Sequence, residues 1–458
     1  VSGAFFYLLN IMLQPQELPM ETASRCSPNE HLVIIGNGMA CHRLLEALVN
    51  HPQRPRRITV VGEEPVPAYN RILLSPLLAG ELAPEALTLQ DASWYADNNI
   101  TLTLGDRVTS IDRERRLLLT HRGDILSYDR LVMATGSRPT LPAVPGITLD
   151  GVHTFRDLRD ADALEAIAQQ GGNAVVIGGG LLGLEAAEGL RKRGGSALTV
   201  SVLQRSERLM NRQLDTTAAQ LLEATLRERG IIIETGASLA ALEGNGHGQV
   251  QSVTLSDGRK LAADSVIVAA GITPNAELGQ QSGLMFDRAI VVDGHLTTSD
   301  DHIYALGECC QFEQHTYGLV EPIWRQVEVL AAVLCGETPA AYQEAPTATK
   351  LKVSGVSLFA FGPTEAAAKH EELRYQDPET GDYCRLLLHQ GRLIGAVLYG
   401  DTRHGPWYFE QALAATDLTA CRHLLLFGAT DAQTALDNHF DNPLDTLSSP
   451  LSLTREAA

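Results

Sequence analysis

The chain has 458 residues, 44% of them hydrophobic and 20% charged, with 40 Gly and 21 Pro. That is ordinary globular composition, long enough for about three domains, and it excludes disordered, collagen-like and miniature disulfide-stapled classes. Lys and Arg number 36 against 55 Asp and Glu, a net charge of -19, which opposes binding to nucleic acid or anionic lipid because the sequence concentrates no basic patch.

Near the amino terminus an apolar run begins at Ala4 and is interrupted by Asn10. It is too short to span a bilayer and lacks a positively charged flank, so a cytoplasmic location is expected. Residues 1–29 are read as an N-terminal extension, with Met20 a possible start inside it.

The first informative segment is the apolar run over residues 31–35, which meets Gly36-Asn37-Gly38 and passes into a helical pattern through Met39, Ala40, Leu44, Leu45 and Leu48. A second apolar run over 58–61 ends at Gly62-Glu63-Glu64, placing an acid 27 positions after Gly36. This is the grammar of a strand, a tight turn, a helix and a second parallel strand. Residues 128–133 then predict a strand ending in the small-residue turn Ala134-Thr135-Gly136, followed by Arg138 and a proline-bearing crossover over 141–145.

The opening pattern recurs 142 residues after Gly36. Residues 174–177 lead into Gly178-Gly179-Gly180-Leu181-Leu182-Gly183, then a helix through Glu185, Ala187 and Leu190, then a strand over 198–203 followed by Gln204-Arg205. Such glycines let the backbone turn tightly and approach a pyrophosphate at a helix N-terminus, so two copies imply two nucleotide-type ligands. The second copy carries all three glycines; in the first, Cys41 stands where the third would be, a small residue compatible with buried packing. A buried strand over 265–270 ends at Gly271, and another ends at Gly307-Glu308. From about residue 337 the pattern changes to antiparallel hairpins and helices, and the polar, acidic stretch after Gly428 reads as a loosely held tail.

The seven cysteines form an odd set without C-x-x-C, which suits a reducing compartment and opposes a disulfide framework, a ribbon-type zinc site and an iron-sulfur cluster; no metal site is expected. Only Cys309 and Cys310 are near each other in sequence, and adjacent cysteines pair rarely and with strain, so both are expected to be structural.

The order of Gly36-x-Gly38, Ala134-Thr135-Gly136, Gly178-x-Gly180-x-x-Gly183, Gly271-x-x-Pro274-Asn275 and Tyr304-Ala305-x-Gly307-Glu308 resembles the FAD-dependent pyridine nucleotide-disulfide oxidoreductase superfamily. Within it, residues 69–75, 307–309, 317–320 and 349–355 resemble the branch that includes the amino-terminal half of NAD(P)H nitrite reductase and the free-standing electron-transfer subunits of assimilatory nitrate reductase. The resemblance implies an α/β fold with two Rossmann-like dinucleotide-binding domains, for FAD and NAD(P)H, and a C-terminal α+β domain. The expected boundaries are 30–150 with 270–336 for FAD, 151–269 for NAD(P)H, 337–428 for the third domain and 429–458 for the tail.

By that resemblance Gly36, Gly38, Met39 and Ala40 surround the FAD pyrophosphate, Glu63, in preference to its neighbour Glu64, takes the adenosine ribose, and Arg71, Ala134, Thr135, Gly136, Arg138, Gly271, Gly307 and Glu308 complete the FAD contacts. Gly178, Gly180, Leu182 and Gly183 surround the second pyrophosphate, with Gln204 and Arg205 at the ribose and Glu185 as the candidate catalytic carboxyl. The lysine that many relatives pair with that glutamate is absent: Pro76 stands at its position, and the first lysine of the chain is Lys192. No redox-active cysteine pair follows Tyr69 either. The implied cofactors are FAD and NADH, NADPH being compatible with Gln204-Arg205, and the implied acceptor is a nitrate reductase catalytic subunit or another redox protein. The competing expectations are a rubredoxin or ferredoxin reductase and, from a different class, an NADH-responsive flavoprotein acting as a sensor.

Overall fold

The computed structural model describes residues 30–353 and 355–441, so the expected extension over 1–29 and the end of the expected tail lie outside the described residues. By internal contacts the chain forms two units, one of residues 1–69, 88–137 and 274–343, the other of residues 70–87, 138–273 and 344–458. The fold is α/β, with parallel sheets and an antiparallel C-terminal sheet.

The first unit is built on a five-stranded sheet in the order Ile303–Ala305, Arg130–Met133, His31–Ile35, Arg57–Gly62 and Ile100–Leu104. All four pairings are parallel. Parallel strands need crossover connections and are covered on both faces, which is why these segments read as unbroken apolar runs instead of alternating ones. His31–Ile35 lies at the sheet's centre and is buried throughout. The helix Met39–Val49 buries Leu44, Leu45 and Leu48 in the same core as Val327 and Leu330 of the helix Val320–Leu334; each such leucine contributes about 1.5–3 kcal/mol of burial.

The second unit repeats the plan, with parallel strands in the order Ile231–Glu234, Leu198–Leu203, Gly172–Ile177, Ser265–Val268 and Val152–Thr154. It also contains the C-terminal antiparallel sheet, ordered Thr349–Val353, Val356–Phe361, Arg392–Tyr399, Tyr383–His389 and Glu371–Gln376. Its central hairpin turns at Gln390 and Gly391, both at positive φ, the conformation that a two-residue hairpin connection favours. A Cβ on Gly391 would lie 2.3 Å from Thr419 Oγ1, so glycine is required there by space as well as by φ. The buried Arg385 reaches Glu372 and Asp215, and Asp215 also accepts from Tyr383 Oη at 2.5 Å and caps the helix Thr216–Glu228.

The contact units group several segments differently from the expected domains. Residues 70–87, 138–150 and 270–273, assigned from sequence to the FAD domain, group with the second unit, and so do residues 344–428 of the expected third domain, whereas its first residues, 337–343, group with the first unit. The tail does not begin at 429: residues Ala429–Asp441 form a helix whose Ala432 and Leu436 are buried against Phe359, Leu386 and Leu398. A polar segment with apolar residues four apart hides one narrow buried stripe, which its composition alone conceals. Among the described residues no helix is long and apolar enough to cross a membrane.

Candidate nucleotide-binding sites

Each unit holds one glycine turn between the central strand of its sheet and the helix that follows, and the two share their backbone bonding. Gly36 N–H donates to Val61 O at 2.8 Å and Gly178 N–H to Leu203 O at 2.9 Å, anchoring each turn to the neighbouring strand. Both glycines have strongly positive φ, +106° and +122°, and a Cβ would sit 2.2 Å from Ala134 O at Gly36 and 2.3 Å from Ala269 O at Gly178. No other residue fits either position.

Two residues further on the requirement reverses. Gly38 and Gly180 are the N-caps of the helices Met39–Val49 and Leu181–Gly194, neither is at positive φ, and a Cβ on either would meet nothing within 4 Å. Neither helix has a side-chain cap or an acid in its first turn. Helices usually satisfy their first N–H groups with a capping Ser, Thr, Asp or Asn. Bare helix starts facing open space, each at the end of a parallel strand, have the room, the donors and the positive dipole end that a pyrophosphate needs.

In the first unit the turn is ringed by further backbone turns. Ala134 is buried at the end of its strand, and Thr135 and Asn275 are locked together, Thr135 Oγ1 donating to Asn275 O at 2.6 Å and Asn275 Nδ2 to Thr135 O at 3.0 Å. Gly136 and Gly307 are both at positive φ, Gly307 lying close enough to Ala40 that a Cβ would be 3.3 Å from that side chain. Ser137 Oγ donates to Glu308 Oε2 at 3.0 Å, orienting the carboxylate beside Gly136. Met39 and Ala40 open the helix and are half-buried. Glu63 is exposed at the end of its strand, whereas Glu64 is half-buried and accepts from Tyr69 Oη at 2.8 Å.

One residue here was not anticipated from the sequence. Gln326, fully buried on the helix Val320–Leu334, accepts from Gly307 N–H at 2.9 Å, and its Nε2 has no acceptor within reach. A glutamine in an amphipathic helix gives no signal by spacing; its role shows only when the helix is docked beside the glycine turn. Cys309 and Cys310 are buried, free thiols donating to the carbonyls of Leu306 and Gly307, and burial pushes both up from the usual thiol range, Cys310 well above it.

In the second unit Gly183 packs with no space to spare, a Cβ there lying 1.9 Å from Gly178 O. Leu182 is half-buried in the first turn of the helix. Glu185 is half-buried on the same helix and accepts from Ser75 Oγ at 2.8 Å; burial raises its carboxyl above the usual range, and the Ser75 bond opposes this only in part. At the end of the neighbouring strand Gln204 Oε1 accepts from Gly179 N–H at 2.9 Å, and Arg205 is exposed. Arg71 groups with the second unit, where its Nη1 donates to Arg156 O at 3.1 Å. Arg138 is exposed, and Gly271 accepts from Thr140 N–H at 2.9 Å.

Two parallel-sheet units, each with a bare helix N-terminus after a glycine turn, have the form of two dinucleotide-binding folds, and the family model for pyridine nucleotide-disulphide oxidoreductases matches residues 30–344. The chain belongs to that family. Residues 347–412 match the C-terminal domain of rubredoxin NAD+ reductases. Among curated relatives it is 38% identical over 390 residues to the NAD(P)H nitrite reductase of Bacillus subtilis, covering 85% of this chain and 48% of that one. It is 36% identical over 397 residues to the assimilatory nitrate reductase electron transfer subunit of the same organism, covering 87% and 51%. The chain thus spans about half the length of these relatives. Among solved structures it resembles the reductase of the covalent putidaredoxin reductase-putidaredoxin complex, at 27% identity, TM-score 0.78 and coverage of 90% and 99%. It also resembles NADH:rubredoxin oxidoreductase from Clostridium acetobutylicum, at 26% identity, TM-score 0.70 and coverage of 89% and 99%.

Proposed function

We propose that the chain takes a hydride from a reduced nicotinamide dinucleotide onto FAD and passes the electrons to a separate redox centre of nitrate assimilation, the favoured acceptor being the catalytic subunit of an assimilatory nitrate reductase. The observation that carries this reading is the pair of uncapped helix starts at Gly38 and Gly180, two pyrophosphate cradles in one chain. The kinship with the nitrate reductase electron transfer subunit and with nitrite reductase supports the choice of acceptor.

FAD, when bound, supplies the chemistry, accepting two electrons together and releasing them singly. The chain's residues bind and orient. Gly36 and Gly38 bring N–H groups to the FAD pyrophosphate, with Met39 and Ala40 beside them, and Glu63, free of the tyrosine that holds Glu64, accepts from the adenosine ribose. Ala134, Thr135, Gly136 and Gly307 shape the rest of that cradle, and Glu308, oriented by Ser137, accepts from the cofactor's polyol. In the second unit Gly178, Gly180, Leu182 and Gly183 form the nicotinamide dinucleotide's pyrophosphate cradle. Glu185 is the carboxyl assigned to the transfer step, and burial favours its neutral, proton-holding form.

Anaerobic addition of NADH or NADPH to the purified flavoprotein should bleach the flavin absorbance, and nitrate should restore it only with the nitrate reductase catalytic subunit present. Failure to bleach with either nucleotide would sink the reductase reading. A second acceptor, rubredoxin or ferredoxin, is favoured by the match over 347–412, and recovery with those proteins alone would select it.

A further inference from the structure

The turn Gly307–Cys309 carries Glu308, and separate parts of the first unit hold it. On the carboxylate side, Ser137 Oγ donates to Glu308 Oε2 at 3.0 Å. On the backbone side, Gly307 N–H donates to Gln326 Oε1 at 2.9 Å, while Gly307 O accepts from the N–H of Cys310 and from its Sγ at 3.3 Å. Both backbone groups of Gly307 are thereby engaged, one within its own turn and the other by a side chain that arrives 19 residues later.

An amide is a destabilising choice for the place Gln326 occupies. It is fully buried on the helix Val320–Leu334, whose Ile323, Val327 and Leu330 are core residues, and an apolar side chain would bury there without polar cost. Its Nε2 meets no acceptor among the described residues, and a buried donor left unmet weakens a fold. What the amide does accomplish is done by Oε1, which takes the Gly307 N–H and lies 3.9 Å from Cys310 Sγ. These are the two ends of the turn that carries Glu308. Gly307, at φ +83°, also lies against Ala40 in the first turn of the helix Met39–Val49, where a Cβ would come within 3.3 Å of that side chain. A shift of this turn would therefore be felt at the cradle as well as at Glu308.

We propose that Gln326 is a positioning residue for the first cofactor, fixing the Gly307 backbone so that Glu308 is aimed at the polyol of FAD. The proposal rests on the reading of the first unit as the FAD site and adds a residue that acts through another. The bond is one that only an acceptor can make, since Gly307 offers a donor, so the amide's oxygen and not its size is what the position requires.

The test is the release of FAD from the full-length holoprotein after dilution, followed by the rise of flavin fluorescence, together with the visible circular dichroism of the flavin still bound. Gln326→Met keeps the length and removes the acceptor; release should quicken about tenfold and the dichroism of the bound flavin should change. Gln326→Glu keeps an acceptor oxygen on a carboxyl that burial holds neutral, and should return release to within about threefold of wild type. Leu330→Ala opens the core one helical turn further along. It should lower the melting temperature at least as much as Gln326→Met, yet leave release within about twofold and the dichroism unchanged. Because Gln326 acts through Glu308, Gln326→Met should add nothing to the effect of Glu308→Ala. Equal acceleration by Gln326→Met and Leu330→Ala, or additive effects of Gln326→Met and Glu308→Ala, would overturn the assignment. Should Gln326→Met fail to fold, Gln326→Asn, which withdraws the oxygen by one methylene, should show the same selective loss, and wild-type release from it would overturn the assignment equally. A wild-type chain that retains no FAD would instead remove the reading of the first unit, and the proposal with it.

Discussion

The two glycine turns are copies of one device with one position exchanged, and the exchange separates what holds the turn from what holds the ligand. Gly36 and Gly178 have the same sign of φ, the same anchoring bond and the same close carbonyl, and Gly38 and Gly180 have the same open space. At the third position the copies part. Gly183 presses against Gly178 O, whereas Cys41 is accommodated with no exposure at all. The helix of the first unit therefore stands far enough from its turn to admit a sulfur, and the third glycine is a matter of helix-to-strand spacing more than of pyrophosphate binding.

That difference can be broken most sharply at Gly183. Gly183→Ala should destabilise the chain by about 3 kcal/mol or more, because backbone has to move to relieve the contact; chemical denaturation of the variant would measure it. A ΔG within about 0.5 kcal/mol of wild type would show that the two turns are equally tolerant and that the contrast is not real.

Next in size, Gly38→Ala and Gly180→Ala should separate binding from folding. Neither clashes with protein, so thermal stability should change by less than about 1 kcal/mol. A methyl in the cradle should instead reduce FAD retention in the first case, and weaken nicotinamide dinucleotide binding about tenfold in the second. Flavin content after gel filtration and a nucleotide titration read the two effects, and a variant that keeps full affinity would remove its turn from the binding site.

A smaller effect is expected at Glu185, which has no counterpart in the first turn. Its carboxyl is raised by burial in the folded chain, so the folded state holds this proton to higher pH than the unfolded state does. The stabilising contribution of the protonated form is complete below the ordinary glutamate range and is lost as pH rises through the raised folded value. Glu185→Gln should therefore flatten the decline of melting temperature above about pH 4.5. Parallel melting curves for the two proteins would contradict this. Smallest of all, Cys41→Ala should cost about 1 kcal/mol through lost packing and leave FAD content unchanged, since the thiol is buried in the apolar core of the first unit; loss of flavin in that variant would make the third position part of the binding device after all.

Much of the plan could be read from residue order. Parallel strands are apolar without alternation, and glycine at positive φ is irreplaceable, so both turns, the strands around them and the five ordered motifs were visible as local patterns. The helix over Ala429–Asp441 was not, because two buried residues in a polar stretch look like chance until something packs on them. Gln326 was hidden for the same reason, and so was the bond by which Tyr69, five residues beyond Glu64, folds back onto it.

The sequence alone determined where the chain must turn tightly, which helices start bare, and that no lysine could stand beside Glu185 from the amino-terminal segment, since these follow from residue type and order. Only tertiary structure decided which polar groups were already spent. Gln204 holds the glycine turn and Arg208 and Arg259 are paired because Gly179, Glu365 and Glu234 supply their partners, and hydrogen-bonding capacity, unlike backbone conformation, is settled by what arrives from elsewhere in the chain.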